Sequence, residues 1–322
     1  MAGRKMCYDC DAPRLVRGDR GIESCMNCGK VRGMNCGKVR GMNCEEVRGM
    51  DCGKIADALG VWIKERVQAA GCRGIVFGLS GGLDSAVVAG LGMRAIPDGC
   101  LGVVMPCRSD PEDVEDALAC ARAFSLPTLV CDLTSLFDRH LALVSGCLSN
   151  AAAQPEVAFA APALTAVADA AARVAISDPS RSRMAQANLK PRLRMTVLYY
   201  YANILGYLVV GTTNRSELTV GYFTKYGDGG SDIMPLAAMV KWQVRELASY
   251  LGVPRYIIEK APTAGLWSGQ TDEGEMGMSY AELDNYILTG EADDAVRQRV
   301  DSLSRAAQHK LARPLVPNIP LE

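Results

Sequence analysis

The chain has 322 residues, of which 49% are hydrophobic and 22% are charged, and its formal net charge is −1. This length suits one large domain or two smaller ones, and the composition is typical of a soluble globular protein. The near-neutral charge argues against a nucleic-acid-binding or membrane-surface protein, and no apolar run is long enough to predict a membrane-spanning helix. Since the start MAGRKMCYDC lacks the apolar core of a signal peptide, we predict a cytoplasmic protein.

The first fifty residues contain an imperfect eight-residue repeat. The unit MNCGKVRG begins at Met26 and Met34, and it returns in altered form at Met42 and Met50. Eight residues advance an α-helix by about 80° beyond two turns, so the repeat does not build a continuous helical stripe. Two interpretations of residues 1–50 stay open: a flexible extension produced by duplication of a short coding unit, or a zinc-binding module. The zinc hypothesis depends on two pairs of cysteines spaced like zinc knuckles, which are Cys7, Cys10, Cys25 and Cys28.

Beyond residue 50 the pattern changes to alternating helices and short apolar runs. Apolar residues at helical spacing from Ile55 to Val67 predict a first helix. Further helices are predicted at about 84–94 and 111–124, and strands at 74–79, 101–105, 128–132 and 207–211. This alternation predicts an α/β fold, a doubly wound parallel sheet with flanking helices, over residues 51–322.

Three other features of this part of the chain give structural predictions. The Ala-rich segment 146–187 predicts a surface excursion made of helical pieces, and the Pro-containing end ARPLVPNIPLE predicts an extended segment. Isolated cysteines in a reducing compartment are predicted to be buried small apolar residues, and these are Cys72, Cys100, Cys107, Cys120, Cys131 and Cys147.

The segment FGLSGGLDSA, residues 77–86, predicts a phosphate-binding loop. A buried strand leads into Ser-Gly-Gly, and a helix begins near Asp84. Glycines let the backbone approach a ligand, and the free N–H groups of a turn and a helix start attract an anion. Asp84 would repel a bare phosphate, but it suits a magnesium ion held between carboxylate and phosphate. The predicted ATP-binding loop comprises Gly78, Leu79, Ser80, Gly81, Gly82, Leu83, Asp84 and Ser85.

Later motifs narrow the function. They read NLKPRLRM at 188–195, VVGTTNRSE at 209–217, GYFTKYGDGGSD at 221–232, KWQVRE at 241–246 and KAPTAGLW at 260–267. Together with the loop, they resemble the ammonia-dependent NAD synthetases, a family of the adenylating ATP pyrophosphatase superfamily, over roughly residues 52–310. The resemblance implies an adenine nucleotide alpha hydrolase-like, Rossmann-like fold and a homodimer. No glutaminase domain is visible, which favours free ammonia as the nitrogen donor.

The resemblance also implies a reaction and its site. ATP would activate the nicotinate carboxylate of deamido-NAD, pyrophosphate would leave, and ammonia would attack the NAD-adenylate to give NAD and AMP. Asp84 and Glu217 would hold magnesium. The ATP contacts would include Thr212, Lys241 and Thr263, and the deamido-NAD contacts would be Arg192, Lys225, Asp232, His309 and Lys310. Lys225 and Asp232 are the candidate catalytic residues, with Asp232 expected to orient or deprotonate ammonia.

Two other functions remain open at this point. A tRNA-modifying adenylating enzyme would share the phosphate loop and would explain an N-terminal zinc module, but it needs a basic RNA-binding surface. A non-catalytic nucleotide sensor would share the fold, but it would not need both Asp84 and Glu217.

Overall fold

The computed structural model describes residues 15–17, 23–25, 50–149, 161–267 and 269–317. The chain divides into two compact units, Met1–Met50 and Asp51–Glu322. The assignment of these units as an extension and a catalytic domain remains a prediction.

The first unit contains two short strands that pair antiparallel. They are β1 (Leu15–Arg17) and β2 (Glu23–Cys25), with Leu15 opposite Cys25. Of the four cysteines of the zinc hypothesis, Cys25 lies at the end of β2, and the other three lie outside the described residues. The zinc module therefore stays a prediction.

A four-stranded parallel sheet forms the centre of the second unit. Its strands are β3 (Gly74–Gly78), β4 (Cys100–Val104), β5 (Thr128–Val130) and β6 (Tyr207–Val209), in the order β5-β4-β3-β6. All three pairings are parallel. The predicted α/β fold with a parallel sheet is confirmed, and β5 is two residues shorter at its end than predicted.

Helices cover the sheet, and their starting residues are visible in the sequence. Asp51 caps the first helix by accepting from the N–H of Lys54, and Asp110 caps another by accepting from the N–H of Glu112. The bounds are α1 Cys52–Ala69, α2 Leu83–Ala95, α3 Pro111–Ala123, α4 Thr134–Ser149, α5 Ala161–Ser177, α6 Pro179–Ala187, α7 Leu189–Leu205, α8 Arg215–Val220, α9 Lys241–Leu251, α10 Arg255–Glu259, α11 Asp272–Met276, α12 Tyr280–Thr289 and α13 Asp294–Leu311. Among the described helices, none is both long and apolar enough to cross a membrane.

Burial is deepest where β3 meets α2. Ile75, Val76 and Phe77 are fully buried, and so is the sequence from Ala86 to Ala89 on α2. This explains why β3 reads as a continuous apolar run, since a parallel strand is covered on both faces.

The prediction that all six isolated cysteines are buried is wrong for three of them. Cys100, Cys107 and Cys120 are buried as predicted, but Cys72 and Cys131 are half-buried and Cys147 is exposed on α4. The predicted helical pieces of the Ala-rich segment are present as α5 and α6 within the described residues. Burial of an isolated cysteine depends on which helix face meets the core, and a single residue type carries no information about that face.

The strand order creates a crevice at one edge of the sheet. From β3 the chain moves to β4 and then β5 on one side, and it later returns to place β6 on the other side of β3. In open parallel sheets, ligands bind outside the carboxyl ends of the strands where the order reverses in this way. Here that position lies between the ends of β3 and β6.

Candidate active site

A cavity of about 640 Å³ opens at the carboxyl ends of the strands. Its walls include residues that follow β3, β4 and β6, among them Leu79, Met105 and Gly211. The size falls within the range of ordinary ligand-binding cavities. Most of the predicted ATP-binding set lines this cavity: Gly78, Leu79, Ser80, Gly82, Leu83, Asp84, Ser85, Thr212, Lys241 and Thr263.

The phosphate loop is held in shape by two serine hydroxyls. The N–H of Ser80 donates to Oγ of Ser85 at 3.2 Å, and Ser85 Oγ donates to the carbonyl of Gly82 at 3.0 Å. No side chain caps the start of α2, so its first N–H groups stay available for a ligand. Gly81 has φ +83°, and a Cβ built there would lie 2.2 Å from the carbonyl oxygen of Asp113. Only glycine fits this close approach of the loop to α3.

Three charged side chains meet beside the loop. The ammonium of Lys241 contacts Oδ2 of Asp84, and it lies 3.3 Å from Oε1 of Glu217. The Lys241 side chain is 4% exposed, and those of Asp84 and Glu217 are 16% and 14% exposed. Asp84 lies 133 positions from Glu217 and 157 positions from Lys241 along the chain. The two carboxylates nevertheless form one largely buried pair that shares the Lys241 ammonium. The two predicted magnesium ligands, Asp84 and Glu217, thus lie in contact with the predicted ATP-binding residue Lys241.

The local sequence explains how Glu217 is aimed. Asn214 and Glu217 form a capping box at the start of α8: the N–H of Glu217 donates to Oδ1 of Asn214, and the N–H of Asn214 donates to Oε2 of Glu217 at 3.1 Å. Asn214 Nδ2 also donates to Oδ1 of Asp84 at 3.0 Å. One asparagine therefore orients both carboxylates.

Burial and neighbouring charges shift the pKa values in this cluster. Burial and the nearby Asp84 raise the pKa of Glu217 to about 7, against the opposing effect of Lys241. Burial alone would lower the pKa of Lys241, but Asp84 and Glu217 outweigh it and hold that pKa above its usual value. Burial also raises the pKa of the Tyr280 hydroxyl, which donates to Oδ2 of Asp272 at 3.1 Å.

Three residues predicted to contact deamido-NAD are hydrogen-bonded to one another, and none of the three is among the described residues that line the cavity. The guanidinium of Arg192 lies 3.4 Å from the carbonyl oxygen of Lys225, and the ammonium of Lys225 donates to the carbonyl of His309 at 2.5 Å. Lys310 enters the cavity wall, and its Nζ donates to the carbonyls of Gly221 and Phe223. Burial lowers the pKa of Lys310.

Asp232 takes a different position. Its Oδ2 accepts from the N–H of Val209 at 2.8 Å, and its Oδ1 accepts from the hydroxyl of Tyr199 at 3.0 Å. Asp232 and Lys225 are not among the described residues that line the cavity. The structure thus brings the ATP and metal candidates together, but it leaves both catalytic candidates outside the cavity wall.

Arg194 was not predicted as a site residue, although it lines the cavity. Its Nε donates to the carbonyl of Met105 at 3.1 Å and its Nη2 to Oγ of Ser109 at 3.2 Å. Burial lowers the pKa of its guanidinium. A signal existed, since Lys190, Arg194 and Leu198 follow at steps of four on α7, whereas Arg192 is two positions away and exposed.

Lys260, which was also not predicted as a site residue, connects the segment after α10 to α3 through ion pairs. Lys260 Nζ lies 3.0 Å from Oδ1 of Asp113 and 2.5 Å from Oδ2 of Asp116. Lys260 directly precedes the Ala-Pro-Thr-Ala-Gly turn that places Thr263 in the cavity wall. These residues lie about 145 positions apart, and no short motif connects them.

Comparison with known proteins agrees with the geometry. A family model described as NAD synthase matches residues 55–314. The NH(3)-dependent NAD(+) synthetase of Carboxydothermus hydrogenoformans is 45% identical over 256 residues, which are 80% of this chain and 93% of that protein. The NH(3)-dependent NAD(+) synthetase of Syntrophomonas wolfei subsp. wolfei is 41% identical over 261 residues, 81% of this chain and 94% of that protein.

Two solved structures, one of an NMN synthetase and one of an NAD synthetase, are similar to this chain in fold. The NMN synthetase from Francisella tularensis superposes with a TM-score of 0.69 at 30% identity, covering 84% of this chain and 100% of that one. The NH3-dependent NAD synthetase from Campylobacter jejuni superposes with a TM-score of 0.60 at 25% identity, with coverage of 84% and 100%.

Proposed function

Because this chain belongs to the NAD synthase family, we propose that it catalyses the ATP-dependent amidation of deamido-NAD with ammonia, giving NAD, AMP and pyrophosphate. It acts as a ligase that forms a carbon–nitrogen bond. The observation that carries the proposal is that Asp84 of the phosphate loop after β3 and Glu217 of α8 converge on Lys241 in one cavity. The family comparisons do not favour the tRNA-modifying alternative.

The reaction proceeds in two steps. An oxygen of the nicotinate carboxylate attacks the α-phosphorus of ATP, the bond to the bridging β-phosphate oxygen breaks, and pyrophosphate leaves. Ammonia then adds its lone pair to the activated carbonyl carbon, AMP leaves, and one proton is released. Both steps gain from holding the reactants in line and from stabilising charge on the phosphates.

The ATP phosphates are the ligand for the loop at Gly78–Ser85. The uncapped start of α2 offers N–H groups and the positive end of a helix dipole. Thr212 and Thr263 both line this cavity and supply hydroxyl groups, and Lys241 supplies a cation. These positions suit a nucleotide that lies across the carboxyl ends of β3 and β6.

Magnesium fits the residues that are present. The ion prefers carboxylate oxygens and phosphate oxygens, and Asp84 and Glu217 provide two carboxylates that already converge on one cation. Within the described part of the chain, no group of three or more His, Cys, Asp or Glu is arranged for a metal ion. Asp84 and Glu217 would hold the ion together with the nucleotide, and the ion would offset phosphate charge in the transition state.

Deamido-NAD binds on the side of the cavity formed by α7 and α13. Lys310 contributes a cation in the wall, and Arg192, Lys225 and His309 are joined to one another by hydrogen bonds next to the wall residues Pro191, Thr224 and Lys310 in the sequence. Asp232 remains a candidate for handling ammonia, although its oxygens are engaged by Val209 and Tyr199 in this structure. Arg194 joins the set, since its guanidinium lines the cavity and donates there to two neutral groups, the carbonyl of Met105 and the hydroxyl of Ser109.

The deciding experiment is an assay of the purified full chain with deamido-NAD, ATP, magnesium and ammonium, with NAD measured by an NAD-specific dehydrogenase. We expect NAD and AMP in equal amounts. Asp84→Asn serves as the matched control, because it removes one charge at the loop and keeps the side-chain size. We expect it to lower kcat/KM at least about 100-fold.

Two further assays test a smaller substrate in place of deamido-NAD and glutamine in place of ammonium. Replacing deamido-NAD by nicotinate mononucleotide tests the smaller substrate that the name of the Francisella tularensis neighbour suggests. A higher kcat/KM for the mononucleotide, or no amide from either substrate, contradicts the proposal. Glutamine in place of ammonium is expected to give no NAD.

We also propose a cytoplasmic homodimer. The support is the family membership. Sedimentation equilibrium of the full chain tests the dimer, which requires a mass twice that of the chain.

A further inference from the structure

The ammonium of Lys241 lies where two acidic side chains converge. Oδ2 of Asp84 and Oε1 of Glu217 both face its Nζ. The second oxygen of each carboxylate is held by Asn214, whose Nδ2 bonds Asp84 and whose N–H bonds Glu217. Because the outer oxygens are fixed by the protein, the two inner oxygens form a ready pair for one cation.

The backbone of Lys241 is anchored. Its N–H donates to Oγ of Ser216 at 3.1 Å, and Ser216 donates to Oδ1 of Asp284 at 2.5 Å. The other oxygen of Asp284 accepts from the N–H of Trp242 at 2.9 Å. The start of α9 is therefore pinned to α12, and the ammonium can move by rotation of its long, flexible stem while the helix stays in place.

The ammonium of Lys241 lies between an aromatic ring and the cavity. The ring of Tyr280 lies 5.0 Å from Nζ, and Lys241 lines the cavity that also receives the phosphate loop. A buried ammonium without its carboxylates is strongly disfavoured unless new anionic partners replace them. Nucleotide phosphates on the loop would be such partners.

We propose that the Lys241 ammonium occupies the cation position between Asp84 and Glu217 in the nucleotide-free protein, and that a divalent ion enters only as the ammonium moves to the phosphates. This rests on the proposed function, because it takes ATP as the ligand. Metal alone then binds weakly, and metal and nucleotide favour each other's binding. Lys241 is in this way a positioning residue for the metal ligands as well as an ATP contact.

The direct test measures Mn²⁺ binding to the nucleotide-free full chain by electron paramagnetic resonance. Lys241→Met keeps the stem length but removes the charge, so Asp84 and Glu217 lose their competing cation. We expect this variant to bind Mn²⁺ at least about tenfold more tightly than the wild type. The matched control is Lys241→Met combined with Asp84→Asn, which is expected to lose the gain and so to locate the new site.

A second measurement uses the wild type alone. The melting temperature is recorded with MgCl2, with α,β-methylene-ATP, and with both. We expect little change with MgCl2 alone and a shift with both that exceeds the sum of the separate shifts. If MgCl2 alone gives the full shift, or if Lys241→Met binds Mn²⁺ no more tightly than the wild type, the proposal is wrong.

These measurements need neither deamido-NAD nor ammonia. A chain that amidates deamido-NAD but binds Mn²⁺ equally well with and without Lys241 would refute the cation exchange alone. A chain that shows the exchange but makes no NAD would refute the proposed function alone.

Discussion

At the scale of single residues, Glu217 shows how one side chain serves two purposes. It closes the capping box of α8 through Oε2, and it presents Oε1 to Lys241. The capping box fixes the side chain without help from a ligand. The carboxylate that we propose as a metal ligand is thereby oriented before any ion arrives, although it is largely buried.

The raised pKa of Glu217 predicts how stability depends on pH. Between about pH 4.5 and 7 the folded protein holds a proton that the unfolded chain releases, so the free energy of unfolding falls as pH rises through this window. We expect Glu217→Gln, which keeps an acceptor for Asn214, to reduce this fall by about 2 kcal/mol. Urea unfolding of the ligand-free protein at pH 5, 6, 7 and 8 measures it. Equal pH profiles for the two proteins would show that Glu217 does not titrate in this way.

At the scale of elements, the phosphate loop depends on the packing of α3 against it. Gly81 is the point of contact, with a positive φ and no room for a Cβ beside the carbonyl of Asp113. Lys260 also binds Asp113 and Asp116 on the same helix. The first turns of α3 therefore support both the loop and the segment that carries Thr263.

Two variants separate the effect of the contact between Gly81 and α3 from the effect of a positive φ alone. Gly71 also has positive φ, +66°, but a Cβ there would meet nothing within 4 Å. We expect Gly71→Ala to cost about 1 kcal/mol from backbone strain alone and to leave the KM for ATP unchanged. Gly81→Ala adds the clash with α3, so it should destabilise the protein by at least about 2 kcal/mol and raise the KM for ATP. Chemical denaturation and ATP saturation curves measure both effects, and equal results for the two variants would contradict the role of this contact.

At the scale of the whole molecule, the family match and the cavity both lie beyond residue 50. We therefore predict that the catalytic domain is 51–322 and that it works without residues 1–49.

A truncated chain beginning at Met50 tests this division. We expect its kcat to stay within about twofold of the full chain, because the core of the second unit is complete without the extension. Elemental analysis of both proteins addresses the zinc hypothesis: about one zinc per full-length chain, absent after truncation and in Cys10→Ala, would support it. A truncated protein that folds but has lost activity would show that the extension takes part in catalysis.

The sequence by itself determined the parallel sheet and the predicted position of the phosphate loop. These depend on local signals: a buried apolar run, glycines at a turn, and an aspartate at a helix start. The sequence also determined the family, because several specific motifs occur together in one order.

Only the tertiary structure decided which charged residues face the cavity. Arg194 and Arg192 lie in one motif, yet packing of α7 turns the first inward and the second to the surface. The shared cation of Asp84 and Glu217 arises from elements more than 130 residues apart along the chain. Local patterns set the face of a helix and the start of a turn, but a contact between distant elements exists only once the sheet order and the helix packing have brought them together.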